Sequence, residues 1–253
     1  MNLSPEKAKE WLSAKNNERK NAIQNAADIL LASYCSRTTW KQIIPIELNR
    51  LAATLKTKIE PIKNMQGDAM LIPAKGGFRI VINKGVPLTR YRTSISHELV
   101  HTLFYLFDED VPRRMFKPSP EEERFCFDVA RRILVPKWHL LSLGVLTLRD
   151  PKHVFDLLTS KLKISRPIAS LIVLQDQCIF QGVAARWKKG EKGWKLQSGN
   201  AYASPTLSSK RRKMLNDKAR EFLRTGHETN DKYKIISFFE YSGDAAFIIV
   251  LEI

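Results

Sequence analysis

His97 and His101 stand four residues apart with Glu98 beside the first of them, and this spacing constrains the 253-residue chain more than any other feature. On an α-helix residues i and i+4 lie one turn apart on the same face. There, both imidazoles can meet one tetrahedral metal ion. Glu98 falls about 100° round the helix, close enough to act on water at such an ion as a general base without being a ligand. In SISHELVHTLFYLF the residues Ile95, Leu99, Leu103 and Leu106 form one apolar stripe, which predicts an amphipathic helix with Ser94 or Ser96 as its cap.

A metal site that hydrolyses anything needs a third protein ligand and an open position. The extended H-E-x-x-H-x-x-G-x-x-H pattern would supply a glycine and a third histidine, but Phe104 and Phe107 stand there. The other solution is a carboxylate on a following helix. PSPEEERFCFDVARRILVP predicts such a helix, from Pro120 or Glu121 to Leu134, stopped by Pro136. On it Glu121 shares a mostly polar strip with Phe125, Asp128 and Arg132. Glu122 leads onto Cys126, Val129 and Ile133, and Glu123 onto Phe127, Ala130 and Leu134. An inward-pointing ligand disfavours Glu121, and periodicity leaves Glu122 and Glu123 unseparated.

Around this core of chemistry the chain reads as follows. Lys7–Leu31 predicts a helix with Ile23, Ala26, Ala27, Leu30 and Leu31 on one face, and a second helix begins near Pro45. Ala69–Ile72 and Phe78–Ile82, separated by Pro73 and Gly76-Gly77, predict a strand pair. Beyond Pro136 come shorter helical pieces, Phe155–Leu162 and Pro167–Leu174. After them follow a strand-like IFQGVAARW, turns marked by Gly190, Gly193 and Gly199, and a basic helix from Ser208 to Arg224. Two last strands, Lys234–Tyr241 and Ala245–Ile253, meet at Ser242-Gly243-Asp244. No apolar run reaches the roughly 18–20 residues that span a bilayer, and the start lacks an apolar stretch of signal-peptide length. The odd set Cys35, Cys126 and Cys178, far apart, predicts a reduced cytoplasmic setting.

RIVINKGVPLTRYRTSISHELVHTLFY followed by EEERFCFDVARRILVP resembles the ImmA/IrrE family of metallopeptidases. In that family a strand ending in Asn precedes an Arg-rich turn and the H-E-x-x-H helix. A second helix follows with a pattern like E-x-x-A-N-x-F-A-x-x-L-L-M-P. Setting Pro136 on the terminal proline places the ligand carboxylate on Glu123. The resemblance spans about Ala69 to Pro136. It implies a zinc peptidase with His97, His101 and Glu123 as ligands and Glu98 as base. The implied role is a cytoplasmic, regulatory one: cleaving helix-turn-helix repressors in stress responses. Cys126 and Phe127 replace the usual Ala-Asn, so the family's Asn contact behind the metal is absent or replaced. The fold class expected is α+β. Residues 1–140 form a mainly helical zincin-like domain with a small antiparallel sheet. Residues 141–177 form a helical, helix-turn-helix-like segment, and 178–253 a small basic α/β domain of sensor type.

Several residues stay open. Tyr105, His139 and His153 are candidates to stabilise an oxyanion, and Arg90 and Arg92 to touch substrate. The 42 Lys+Arg against 26 Asp+Glu give a net charge of +16. Between Arg186 and Arg224 basic residues interleave with Trp187, Trp194 and Tyr202. That mixture suits a nucleic acid or another acidic partner, and supports an alternative in which the chain is a nucleic-acid-binding regulator with a structural or vestigial metal site.

Overall fold

The computed structural model describes residues 3–36, 43–177, 179–191, 193–226, 233–239 and 245–252. It is an α+β protein and divides into two compact units: Met1–Val145 with Ser160–Ile164, and Leu146–Thr159 with Ser165–Ile253. No helix among the described residues is long and apolar enough to cross a membrane.

In the first unit the expected opening helix is two helices, α1 (Pro5–Ser13) and α2 (Asn16–Cys35). They break at Ala14-Lys15, and Asn16 takes a positive φ of 50°, a region Asn tolerates better than most residues. The predicted stripe of α2 is buried as expected, with Tyr34 added. After α3 (Leu48–Thr54) come β1 (Thr57–Ile62), β2 (Ala69–Ala74) and β3 (Gly77–Asn83). β2 and β3 are the predicted antiparallel pair, but the sheet is mixed, ordered β1-β3-β2, because β1 runs parallel to β3. Gly77 is required for that pairing, since a Cβ there would lie 2.0 Å from the Lys56 carbonyl oxygen. β1 escaped the sequence reading because Lys58, Glu60 and Pro61 spoil its apolar pattern, which an edge strand permits.

Asn83 closes β3 and pins the loops around it. Its Oδ1 accepts from Gly85 N, and its Nδ2 donates to the Met65 carbonyl. α4 (Leu88–His101) then begins six residues before Ser94, with Pro87 at the cap position. Ser94 and Ser96 are interior, and Ser96 is fully buried. The helix stops at His101 rather than near Phe107. The Thr102 hydroxyl donates to the Leu99 carbonyl at 2.6 Å, a side-chain bond that competes with helix continuation. Residues 102–104 form a 3₁₀ turn, and Tyr105–Leu106 (β4) pairs with Arg113–Arg114 (β5). α5 (Pro120–Leu134) has the predicted bounds: Ser119 Oγ accepts from Glu122 N, and Pro120 occupies the first turn. Its buried residues Phe125, Cys126, Val129, Ala130, Ile133 and Leu134 pack against α4 and α2. The short α6 (Lys137–Ser142) ends this unit's helices.

α7 (Pro151–Lys161) crosses the division between the units. The second unit continues with α8 (Arg166–Leu171), which runs into a π-helical turn over Ile172–Asp176. Then come β6 (Gln181–Gly190), β7 (Gly193–Ala203), α9 (Ser209–Thr225), β8 (Tyr233–Phe239) and β9 (Ala245–Glu252). The strands form one antiparallel sheet ordered β7-β6-β9-β8. Val183, Ala185, Trp187, Ile235, Ile248 and Val250 from the sheet pack on Leu207 and on Leu215 and Ala219 of α9. Gly199, read as a turn marker, lies within β7. The expected turn at Ser242–Asp244 and Cys178 lie outside the described residues. Cys35 and Cys126 are free thiols.

Candidate metal centre

The last turn of α4 and the first turn of α5 bring the sequence's candidate residues together. His97 Nε2 and His101 Nε2 lie 3.1 Å apart. Glu123 Oε2 is 3.1 Å from His97 Nε2, and Glu123 Oε1 is 3.5 Å from His101 Nε2. A tetrahedral ion bound at about 2.0–2.1 Å has ligand–ligand edges of about 3.3–3.4 Å. The separations, measured to the two oxygens of Glu123, are of the size that one metal ion requires, and the donor set of two imidazoles and a carboxylate suits a divalent one. His101 is buried, His97 is half-buried, and the Glu123 side chain is 54% exposed, so the triangle opens on one side. Burial, followed by the neighbouring His101, lowers the His97 pKa, which favours the neutral, lone-pair form a metal requires.

Glu122 and Glu123, which periodicity left unseparated, take different places. Glu123 reaches the Nε2 atoms. Glu122 is the fully buried one, and its Oε1 lies 2.7 Å from His101 Nδ1, on the far side of the ring. Glu121 is exposed and bound to Arg124. Glu121, which the inward criterion disfavours, belongs to neither group of possible ligand atoms among the described residues, while Glu122 faces the core and Glu123 the cleft. Glu98, next to His97, accepts a hydrogen bond from Leu71 N of β2 through Oε2 at 2.8 Å. Burial raises its pKa, with the pull of His101 in the opposite direction.

β2 is bonded to β3 on one side only, so its outer edge lies open among the described residues. Leu71 N points outward to Glu98, and the alternation of an antiparallel pair turns Ala69 and Pro73 outward too. Pro73, with no N–H to lose, sits where a strand tolerates proline. On the other side of the site a groove of about 840 Å³ is lined by Lys15, Arg19, Arg124 and Phe127, together with His97 and Glu123.

The remaining candidates separate. Tyr105 is buried on β4, where its hydroxyl accepts from Arg114 Nη1 at 3.4 Å. His139 is fully buried in α6. Desolvation, opposed by the Ile43 backbone and aided by Arg92, lowers its pKa to about 4. His153 is exposed on α7 of the second unit. Arg90 is tied to Asp68 at the surface. Arg92 is buried and donates to the Ile46 carbonyl at 3.0 Å, which makes it a clamp on the chain before α3. Sequence reasoning missed Arg114, whose Nη2 lies 2.5 Å from Glu122 Oε1. Nothing in its spacing marked it.

No family profile matches the chain, and no curated protein matches it in sequence. Among solved structures it is similar to a Mycobacterium tuberculosis transcriptional regulator. The match covers 98% of this chain and 80% of that one, with a TM-score of 0.51 and 12% identity. At that identity the likeness concerns the fold.

Proposed function

We propose that the chain is a zinc-dependent endopeptidase of the cytoplasm that cleaves a protein, by resemblance to the ImmA/IrrE peptidases a helix-turn-helix transcriptional repressor. The observation that carries this reading is the His97–His101–Glu123 triangle with Glu98 beside it on α4. Bound there, zinc would polarise a scissile carbonyl and acidify water. The chain's own residues do the rest. Leu71 N holds Glu98 Oε2, leaving Oε1 to take the proton of the attacking water and to hand it to the departing amide nitrogen. The raised pKa of Glu98 suits a base that must also give its proton up. The open edge of β2 offers backbone groups at Ala69 and Pro73 to an extended substrate strand.

The test is to incubate the purified protein with the product of a neighbouring repressor gene, with and without chelator. Cleavage that the chelator stops, and that Glu98→Ala loses while keeping its zinc, supports the reading. A zinc-loaded wild type that leaves the repressor intact, or a Glu98→Ala variant cutting at the normal rate, removes it.

A second reading is favoured by a different observation. Lys188, Lys189 and Lys195 of the β6–β7 hairpin and Lys210, Arg212 and Lys213 of α9 are exposed. With the regulator named as structural neighbour, they support a nucleic-acid-binding regulator whose metal site is structural. Salt titration of DNA binding decides: phosphate contacts give an affinity that falls steeply with salt, and no binding at low salt removes this reading.

A further inference from the structure

Consecutive residues of α5 meet opposite nitrogens of one imidazole: Glu123 faces His101 Nε2, and Glu122 faces His101 Nδ1. Glu122 is the more unusual of the two. It is fully buried, and its Oε2 has no hydrogen-bond partner. A buried carboxylate with an unmatched oxygen is costly, and packing alone would favour an apolar side chain in its place. What holds it is Arg114, whose Nη2 donates to its Oε1 at 2.5 Å, while Glu122 N, donating to Ser119 Oγ, caps the start of α5. Arg114 is itself fixed by donating to Tyr105 Oη and to the Phe116 carbonyl, with its Cζ 5.2 Å from the centre of the Tyr105 ring.

An arginine stays charged at any ordinary pH, and its contact with Oε1 at 2.5 Å, working against burial, holds Glu122 as an ionised acceptor. The proton in the 2.7 Å contact must then sit on His101 Nδ1. In a neutral ring that leaves Nε2 with a free lone pair, aimed at His97 and Glu123. The tautomer of a histidine is set by the partner of its other nitrogen. Without such a partner, a neutral imidazole in water prefers the proton on Nε2, the wrong place for binding a metal. Cys126 Sγ also approaches His101 Nδ1, at 3.5 Å, but burial raises its pKa far enough that it stays a weakly hydrogen-bonding thiol.

We infer that Glu122, clamped by Arg114, is a positioning residue that fixes His101 in its Nδ1–H tautomer and so presents Nε2 as a metal donor. The inference rests on the metal reading of the triangle. The tautomer itself can be read without metal.

The experiment has two arms on the full chain. In metal-free protein, long-range ¹H–¹⁵N NMR of the histidine rings should show protonated Nδ1 for His101. Glu122→Ala should move the proton to Nε2, and Glu122→Gln, whose carbonyl still accepts, should restore Nδ1–H. In the second arm, zinc is titrated against a chromophoric chelator. Glu122→Ala should bind about 10- to 100-fold more weakly, and Glu121→Ala, an exposed control, should bind like the wild type. Glu122→Met, similar in volume and unable to accept, replaces the alanine variant should that one fail to fold. A folded Glu122→Ala or Glu122→Met with His101 still protonated at Nδ1 overturns the proposal, as does unchanged zinc affinity. A wild type that takes up no zinc overturns the metal reading instead, and the tautomer arm alone then decides the role of Glu122.

Discussion

Glu123→Ala separates metal binding from packing. The Glu123 side chain is 54% exposed, and its metal-free contacts are the two histidines at 3.1 and 3.5 Å. Losing an exposed ion pair costs about 0–1 kcal/mol, so the metal-free variant should unfold within about 1 kcal/mol of the wild type. Zinc changes the comparison. A ligand that binds only the folded state adds RT ln(1 + [L]/Kd), about 2.7 kcal/mol at a free concentration of 100 Kd. For a unit of about 150 residues that raises the melting temperature by about 5–11 °C. If losing one of three ligands weakens binding 100-fold, the same zinc adds only about 0.4 kcal/mol to the variant, a shift near 1 °C. Calorimetric scans in chelator and in zinc buffered at one free concentration measure both terms. An equal zinc-induced shift in wild type and variant would refute the triangle, because the metal would then sit elsewhere.

Three other perturbations test the scaffold. Ser119→Ala removes the acceptor for Glu122 N and should lower stability by about 1 kcal/mol in urea unfolding; an unchanged midpoint would mean the cap contributes nothing. Gly77→Ala places a Cβ 2.0 Å from the Lys56 carbonyl, so β1 must part from β3 at a cost of about 1–3 kcal/mol. Hydrogen exchange at β1 should speed up, and protection equal to wild type would contradict the close approach. His139 titrates near pH 4 when folded and near 6.5 when unfolded, so the unfolded chain takes up its proton first as pH falls. Its contribution is therefore fully present above pH 6.5 and is lost between 6.5 and 4, at up to about 1.4 kcal/mol per pH unit. His139→Leu should flatten the stability profile in that window, and an identical slope would disprove the assignment.

The parts of this fold that the sequence disclosed are those where one local rule decides. Pro120 and Pro136 bound α5 to within a residue, Ser208 starts α9, and two histidines one turn apart at i, i+4 point to a helix. Where two rules compete, reading fails. The apolar stripe continues through Leu103 and Leu106, yet the Thr102 hydroxyl bond and the aromatic run after it turn the chain into β4. Because of that turn Tyr105 holds Arg114 and does not follow His101 one turn along a helix. β1 is invisible because its stabilisation comes chiefly from pairing with β3, 21 residues away in register, and not from an apolar pattern of its own. The choice between Glu122 and Glu123 is a matter of a 100° step round α5, finer than any periodicity argument resolves. Both side chains meet the same imidazole, on opposite edges of the ring.

That step of 100° explains why the site needs a rigid seam between α4 and α5. Glu122 and Glu123 bracket His101 only at one azimuth of α5. Phe125, Cys126, Val129 and Ile133, all fully buried, set it. Trp11 stacks on Phe125 at 6.0 Å, and Phe104 meets the same ring edge-on at 6.0 Å. Helix polarity then assists the chemistry. The carboxylates occupy the first turn of α5, where the positive end of the helix dipole offsets their mutual repulsion. His97 and His101 occupy the last turn of α4, where the negative end favours a cation. A divalent ion placed between them meets the favourable negative end of α4, while the positive end of α5 steadies the carboxylates and not the ion itself. This arrangement requires one helix to end on its histidine where the next begins on its glutamates, and so the early stop of α4 at His101, which breaks the apolar stripe, is a condition of the site.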